Sequence, residues 1–484
     1  MFLGSDLGTS GVKAFLMDGN QGFVASANAP LSVSNPHPGW SEQQPDDWKS
    51  ATDAALLQLK ASHPAQLAAV RGIGLSGHMH GATLVNAQDE AIRPCILWND
   101  TRSHLEAAEL DGKPMFRQLT GNIVFPGFTA PKLLWVQRNE PANFAAIRWV
   151  LLPKDFLRLW LSGEHMSEMS DSAGTSWLDV AARRWSPELL AETGLEERQM
   201  PDLVEGTDSA GTLRPELASR WGMGAGVVIA GGAGDNAASA AGLGLAREGE
   251  AFVSLGTSGV VFAANDAFRP LPESAVHAFC HALPNKWHQM GVILAATDSL
   301  NWLAGITGTD EAALSAELGE TLLAPGSTVF LPYISGERTP HNDALIRGAF
   351  TGIGKETGRP QLTQAVMEGV AFAFADSLLA LGQAGTSLSR AFAVGGGARS
   401  KYWLKAVATA LDIPLDLPVH GDYGAAFGAA RLGMIAATGA DPLSVLTVPT
   451  VAETIEPVAA QRQAYQDRLA RFRDHYPAIR SVQT

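Results

Sequence analysis

Two aspartates and two copies of one turn carry most of the chemistry that this chain can offer. Asp6 ends an apolar run and opens the turn in LGSDLGTSGV (Leu3–Val12). The six residues LGTSGV return about half a chain later at Leu255–Val260, with Ser254 in place of the aspartate. A hairpin tip of Gly, Thr and Ser presents backbone N–H groups and hydroxyls on a concave face. Such a nest holds phosphate oxygens without a lysine, although the same residues also make ordinary turns. Two copies, one in each half, favour a pair of phosphate cradles facing across a cleft. Only the first brings a carboxylate. A carboxylate beside phosphate repels it unless a hard divalent cation lies between, so Asp6 points to Mg2+. Asp235 lies in GGAGDNAAS (231–239), after a glycine run and before a small-residue helix. There it either caps the helix or acts as a general base at the seam of the two halves. A further turn, VGGGARS (394–400), lets a flat group such as adenine approach the backbone, or lets a helix pack tightly on a strand.

Other nucleotide motifs fail. There is no GxxxxGK[ST]. GIGLSG (72–77) matches GxGxxG, but the dinucleotide fingerprint needs a helix after its last glycine, and MHGATLVNAQDE reads as strand and turn. His78 and His80 put two rings on one face of a strand, as some metal sites do, yet no Cys or carboxylate cluster completes a ligand set. Trp98, Trp135, Trp160 and Trp177 read as core, Trp98 least securely because Asn99 and Asp100 follow it. Glu337 and Arg338 read as an ion-paired loop near the cleft.

The elements that must position these residues follow a strand, glycine turn, strand or helix grammar. FLGSDLGTSGVKAFLMD and EAFVSLGTSGVVFAAND each predict a hairpin. RGIGLSG predicts a strand, PDDWKSATDAALLQLKAS a helix capped near Asp46, and AFAVGGGARSKYWLKAVATAL a strand, turn and helix. AQRQAYQDRLARFRDHY predicts an amphipathic helix docked on the second half. The repeat implies two similar α/β domains, 1–243 and 244–484. The formal net charge of −14, with no basic run longer than Arg183–Arg184, argues against nucleic acid and anionic membranes as partners. Two cysteines, Cys95 and Cys280, without CxxC spacing read as reduced, buried thiols. With no basic leader and no apolar run of about 18 residues, the expected location is the cytoplasm.

Together, DLGTSG, SLGTSG, GDNAA and GGGARS resemble the FGGY carbohydrate kinases. GFTAPKLLWVQRN (127–139, with Lys132 and Trp135) and GAFTGIGKETGRPQLTQAVME (348–368) match that family's two signatures. The resemblance runs from residue 1 to about residue 470. It implies two ribonuclease-H-like domains of the actin-like ATPase fold, related by internal duplication, with a cleft between them. It implies a kinase acting on a small sugar with ATP and Mg2+, and a homodimer. Asp235 would be the catalytic base. Met79, His80, Asp235 and Asn236 would bind sugar, with His80 as a hydrogen-bond donor. Asp6 and Thr9 would lie by the phosphates, Asp6 reaching the metal directly or through water and Asp235 close to it. Gly256 and Thr257 would face the γ-phosphate. Gly396, Gly397 and Ser400 would lie along the adenosine. Glycerol kinases of the family carry Arg-Glu where Met79-His80 stand here. A kinase for another ketopentose or polyol, and a non-catalytic actin-like ATPase or sugar sensor, remain as alternatives. Two departures from the family's usual wording bear on structure. Gly4-Ser5 stand where Ile is usual and are expected to loosen their strand. His78 stands where Gln is common and bears on substrate preference.

Overall fold

The computed structural model describes residues 1–419 and 424–483. Phe2–Gly8, Gly11–Met17 and Phe23–Pro30 form an antiparallel meander. The free edge of Phe2–Gly8 pairs in parallel with Gly72–Gly77, which pairs in parallel with Val228–Ala230. The second half repeats this order. Ala251–Leu255, Gly259–Asn265 and Trp287–Ile293 form the meander, and Ala251–Leu255 pairs in parallel with Ala391–Val394, then Leu415–Pro418. Each sheet is completed to seven strands by short additions. The duplicated turn is the tip of the first hairpin in each sheet, so the two tips occupy equivalent places.

Two helices, one from each half, join the sheets. Asp235–Gly242 (DNAASAAG) and Gly424–Thr438 (GAAFGAARLGMIAAT) pack backbone to backbone: a Cβ on Gly428 would lie 1.8 Å from the Ala238 carbonyl oxygen. The helix Gly424–Thr438 also lies on the first sheet, where Cβ atoms on Gly4 and Gly74 would each meet a carbonyl of that helix, Ala426 or Ala429, at 1.8 Å. Gly4 therefore does not loosen its strand as the sequence suggested. Its missing side chain lets a helix seat directly on the central strand, which Ile could not.

The first helix is Pro45–Ser62, and its N-cap lies two residues before Asp46. Gln44 is its N-cap, Pro45 opens it, and Asp46 and Asp47 lie in the first turn, where the helix dipole favours them. Trp48 on this helix is fully buried. The helix Arg359–Gln383 is long and apolar enough to cross a membrane, but most of its apolar stretch is buried inside the second half, as in a core helix. The C-terminal helix Arg462–Gln483 docks there through Tyr465 and Phe472, which pack with Phe372.

Candidate active site

Asp235 is the first residue of its helix and not its cap; extended Gly234 holds the N-cap position. Gly234 pairs with Gly77 at the end of the central parallel strands, so Asp235 emerges where those strands stop. A side chain on Gly234 would collide with Met79, about 2.9 Å away, so the glycine lets Met79 lie against the turn. The Asp235 Oδ1 accepts hydrogen bonds from the Asn236 backbone N–H (2.7 Å) and its Nδ2 (3.0 Å). Burial pushes this carboxyl up to about 6 against the pull of the Asn236 N–H, and the Asp6 charge adds to the rise. Asp6 accepts the Ser76 hydroxyl at 2.7 Å.

Three cavities are lined in part by residues of the glycine-rich turns. One, of about 220 Å³, is walled by Met79, His80, Trp98, Phe128, Asp235 and Asn236 from the first half, and by Ser258, His277, Phe279 and Arg338 from the second. A second, of about 330 Å³, is lined by Asp6, Lys13, Asp235, Asn236, Ser254 and Gly395, with the first residues of the helix Gly424–Thr438. A third, of about 880 Å³, is lined by Gly396, Gly397 and Ser400 with Thr297, Leu300 and Trp403. Asp235 and Asn236 belong to both of the first two. A carboxylate is thus placed between a sugar-sized cavity and a polar one bearing a second carboxylate and a lysine.

His80 has φ = 69°, a left-handed conformation uncommon for a non-glycine residue. Its ring stacks on Phe128 (4.4 Å, 14°) and its Nδ1 lies 2.6 Å from the Gly174 carbonyl. A carbonyl only accepts, so Nδ1 carries the hydrogen. Burial pulls the ring's pKa down to about 3, so it is neutral and its Nε2 is an acceptor. The sequence reading made His80 a donor; this tautomer leaves its free Nε2 as an acceptor.

The glycine turn at 394–400 is tightly packed at two of its glycines and open at the third. Gly395 (φ = 89°) and Gly397 press against Leu255, while a Cβ on Gly396 would meet nothing within 4 Å, leaving that face open to the large cavity. Ser400 also caps the helix Lys401–Leu411 by accepting the Trp403 N–H. Thr9, Gly256 and Thr257 do not line these cavities. The Thr9 hydroxyl accepts the Trp98 indole N–H at 3.0 Å. The Gly256 and Thr257 carbonyls receive the N–H groups of Thr297 and Ala296, which fixes the second hairpin to the start of the helix Thr297–Thr307. Ser258 and Val260, next along, are the residues of this hairpin that reach the small cavity.

Trp98 and Arg338 both line the small cavity, where the sequence reading put Trp98 in the core and Arg338 in an ion-paired loop near the cleft. Trp98 is 45% exposed and faces the small cavity; the polar Asn99-Asp100 beside it was the available signal. Arg338 is not ion-paired: among the described residues no carboxylate lies within 4 Å of it. Its guanidinium lies over Phe125 and donates toward the His277 Nε2 at 3.2 Å. The adjacent Glu337 carboxyl instead accepts the Leu294 and Arg338 backbone N–H groups, and burial pushes it up to about 8. The sequence reading gives His277 and Phe279 no role; they sit in the strand His277–Cys280. His78 does not reach the small cavity: it is buried edge-on to Trp48, and among the described residues neither ring nitrogen has a hydrogen-bond partner.

Among the described residues no three His, Cys, Asp or Glu side chains converge to hold an ion unaided. Asp6 and Asp235 facing one polar cavity fit a hard cation that brings phosphate and water as its remaining ligands.

Two copies of one sheet, with a carboxylate at the seam opening onto both a sugar-sized cavity and a polar cleft, define a sugar-phosphorylating enzyme of the actin-like ATPase fold. The FGGY carbohydrate kinase N-terminal domain matches residues 1–242 and the FGGY C-terminal domain residues 251–437. The chain belongs to the FGGY family of carbohydrate kinases, and its substrates are a sugar and ATP. It is 48% identical to a xylulose kinase of Escherichia coli K12 over 99% of both chains. It is similar to the solved structure of a xyloylose kinase from Brucella ovis (64% identity, TM-score 0.98, 99% of each chain). It is also similar to that of a xylulose kinase from Rhodospirillum rubrum (28% identity, TM-score 0.92, covering 100% of this chain and 99% of the other).

Proposed function

We propose that the protein transfers the γ-phosphate of ATP to D-xylulose, giving D-xylulose 5-phosphate and ADP. The observation that carries this reading is the sharing of Asp235 between the small cavity and the Asp6 cavity. The relatives named above support the choice of sugar. Asp235 accepts the proton of the attacking hydroxyl as the new O–P bond forms and the bond to ADP breaks. Its elevated pKa suits it to hold that proton near neutral pH. Asn236 steadies the carboxylate through its two hydrogen bonds. Met79, the neutral His80 and Trp98 place the sugar. Gly396, Gly397 and Ser400 line the adenosine side; Thr9, Gly256 and Thr257 hold the hairpin tips around the phosphates. Mg2+ held by Asp6, with Asp235 nearby, would neutralise charge on the phosphates. The same reading assigns sugar binding to residues 1–243 and ATP binding to 244–484. It places the enzyme in the cytoplasm, in keeping with two free buried cysteines, as a homodimer that sedimentation can test.

The deciding experiment is coupled ADP release with Mg–ATP over D-xylulose, D-ribulose, L-ribulose, L-xylulose, glycerol, gluconate, xylitol and no sugar. A selective response to D-xylulose is expected. Preference for another polyol would overturn the substrate, and silence throughout would overturn the catalytic reading.

A further inference from the structure

The wall of the small cavity is supported from behind by a charge that does not line it. Lys132, in the helix Thr129–Asn139, is fully buried. Its Nζ donates to the His80 carbonyl at 2.9 Å and to the Gly127 carbonyl at 2.7 Å. Both acceptors belong to residues of the cavity wall, on separate segments. The left-handed conformation of His80 turns its carbonyl away from backbone donors, and the donors that reach it are side chains, Lys132 and the Thr129 hydroxyl at 3.2 Å. Gly127 in turn lies flush on Trp98, where a Cβ would come within 2.1 Å of the Trp98 carbonyl oxygen. Two wall segments, at 80 and 127, thus converge on one ammonium group, and the segment at 98 packs against the second of them.

A buried ammonium is an expensive way to satisfy two carbonyls. Among the described residues no carboxylate lies within 4 Å of it, and burial draws its pKa down to about 7. A lysine offers three donors from one point, which suits two carbonyls arriving from different directions. The consequence for His80 is geometric. Its backbone is held by Lys132 and Thr129, its Nδ1 by Gly174, and its ring face by Phe128. Only Nε2 is left to point elsewhere.

We propose that Lys132 is a positioning residue of the sugar pocket, tying the carbonyls of His80 and Gly127 so that the His80 Nε2 acceptor meets a substrate hydroxyl. This rests on His80 contacting the sugar. Steady-state kinetics of the wild type, Lys132→Met, Thr129→Val, His80→Ala and the His80→Ala/Lys132→Met double variant test it. Lys132→Met should raise KM for D-xylulose about tenfold or more while KM for ATP stays within about twofold. Thr129→Val should raise the sugar KM by about threefold. In the His80→Ala background, Lys132→Met should add less than about threefold, because the contact it supports is already gone. An unchanged sugar KM with a reduced kcat, or effects that multiply in the double variant, would overturn the proposal. If Lys132→Met does not fold, the cycle of Thr129→Val with His80→Ala decides the same question. Absence of wild-type turnover on D-xylulose would instead sink the substrate reading, and the cycle would then be run on the sugar that is turned over.

Discussion

Gly4 and Ala426 touch through their backbones: a single methyl group on Gly4 would come within 1.8 Å of the Ala426 carbonyl oxygen. Gly4 lies two residues before Asp6 on the same strand, and Ala426 lines the Asp6 cavity. The strand that delivers the first carboxylate is therefore seated on a helix from the other half of the chain. Gly4→Val must push one backbone off the other, since neither partner is a flexible side chain. The expected loss of stability is on the order of 3 kcal/mol or more, read as a lower midpoint in urea. Gly4→Val with unchanged stability would show that the helix and strand are free to separate.

Asp235→Asn keeps the shape of the side chain and removes the base. kcat should fall by about 100-fold or more, with ATP affinity nearly unchanged. In the parent enzyme kcat/KM should decline by about tenfold per pH unit below pH about 6, as the carboxyl is protonated. The stability effect has the opposite sense. The folded-state pKa lies above that of a free aspartate, so the protonated form is the one that favours folding; this benefit is full below about pH 4 and is lost as the pH rises through about 6. At pH 7 to 8 Asp235→Asn should therefore match or exceed the parent's Tm. A lower Tm together with lost activity would assign the residue a structural role.

Burial does most to raise the Asp235 carboxyl, and Asp6→Asn removes the neighbouring charge that adds to the rise. The acid limb of the kcat/KM profile should move to lower pH. If Asp6 also carries Mg2+, the variant should need more of the ion for half-maximal rate and lose about 10- to 100-fold in kcat. An acid limb that stays in place would mean that Asp6 does not act on Asp235.

The duplicated fold was legible because its signals are local. A hairpin tip repeats its residues, and a strand that ends in glycine before a small-residue helix reveals a site at the end of a sheet. Asp235 and Asn236 lie in such a stretch, Met79 and His80 are marked by the family resemblance, and all four reach the small cavity. The three glycines at 395–397 announced themselves in the same way. What stayed hidden depends on contacts between distant segments. His277, Phe279 and Arg338 become pocket residues only because the second half faces the first. The His80 tautomer depends on the carbonyl of Gly174, 94 residues away. The need for Gly4 depends on a helix at the far end of the chain, so a glycine that looked like a weakness in one strand is a requirement of two elements.

His78 shows the converse case, a residue that sequence placed near the sugar and that packing removes from it. Its ring is buried against Trp48, burial pulls its pKa to about 3, and it does not line the small cavity. His78→Gln should leave the ranking of sugars in the ADP-release panel unchanged, with each kcat/KM within about threefold of the parent after correction for folded fraction. A reordered panel would mean that the wall behind Met79 and His80 sets specificity through His78.

Trp98 links the small cavity to the first hairpin, since its ring faces that cavity while its indole N–H reaches the Thr9 hydroxyl at the hairpin tip. Trp98→Phe keeps an aromatic wall and removes only the donor. One lost hydrogen bond of ordinary strength corresponds to about a 3- to 10-fold fall in kcat/KM for the sugar. Thr9→Val should cause a similar fall, and the double variant little more than either, because both remove the same bond. Trp98→Ala should cost considerably more, since it also opens the pocket to water. If Trp98→Phe is indistinguishable from the parent while Trp98→Ala is not, the indole serves the sugar as an apolar wall, and the hairpin tip is held without its help.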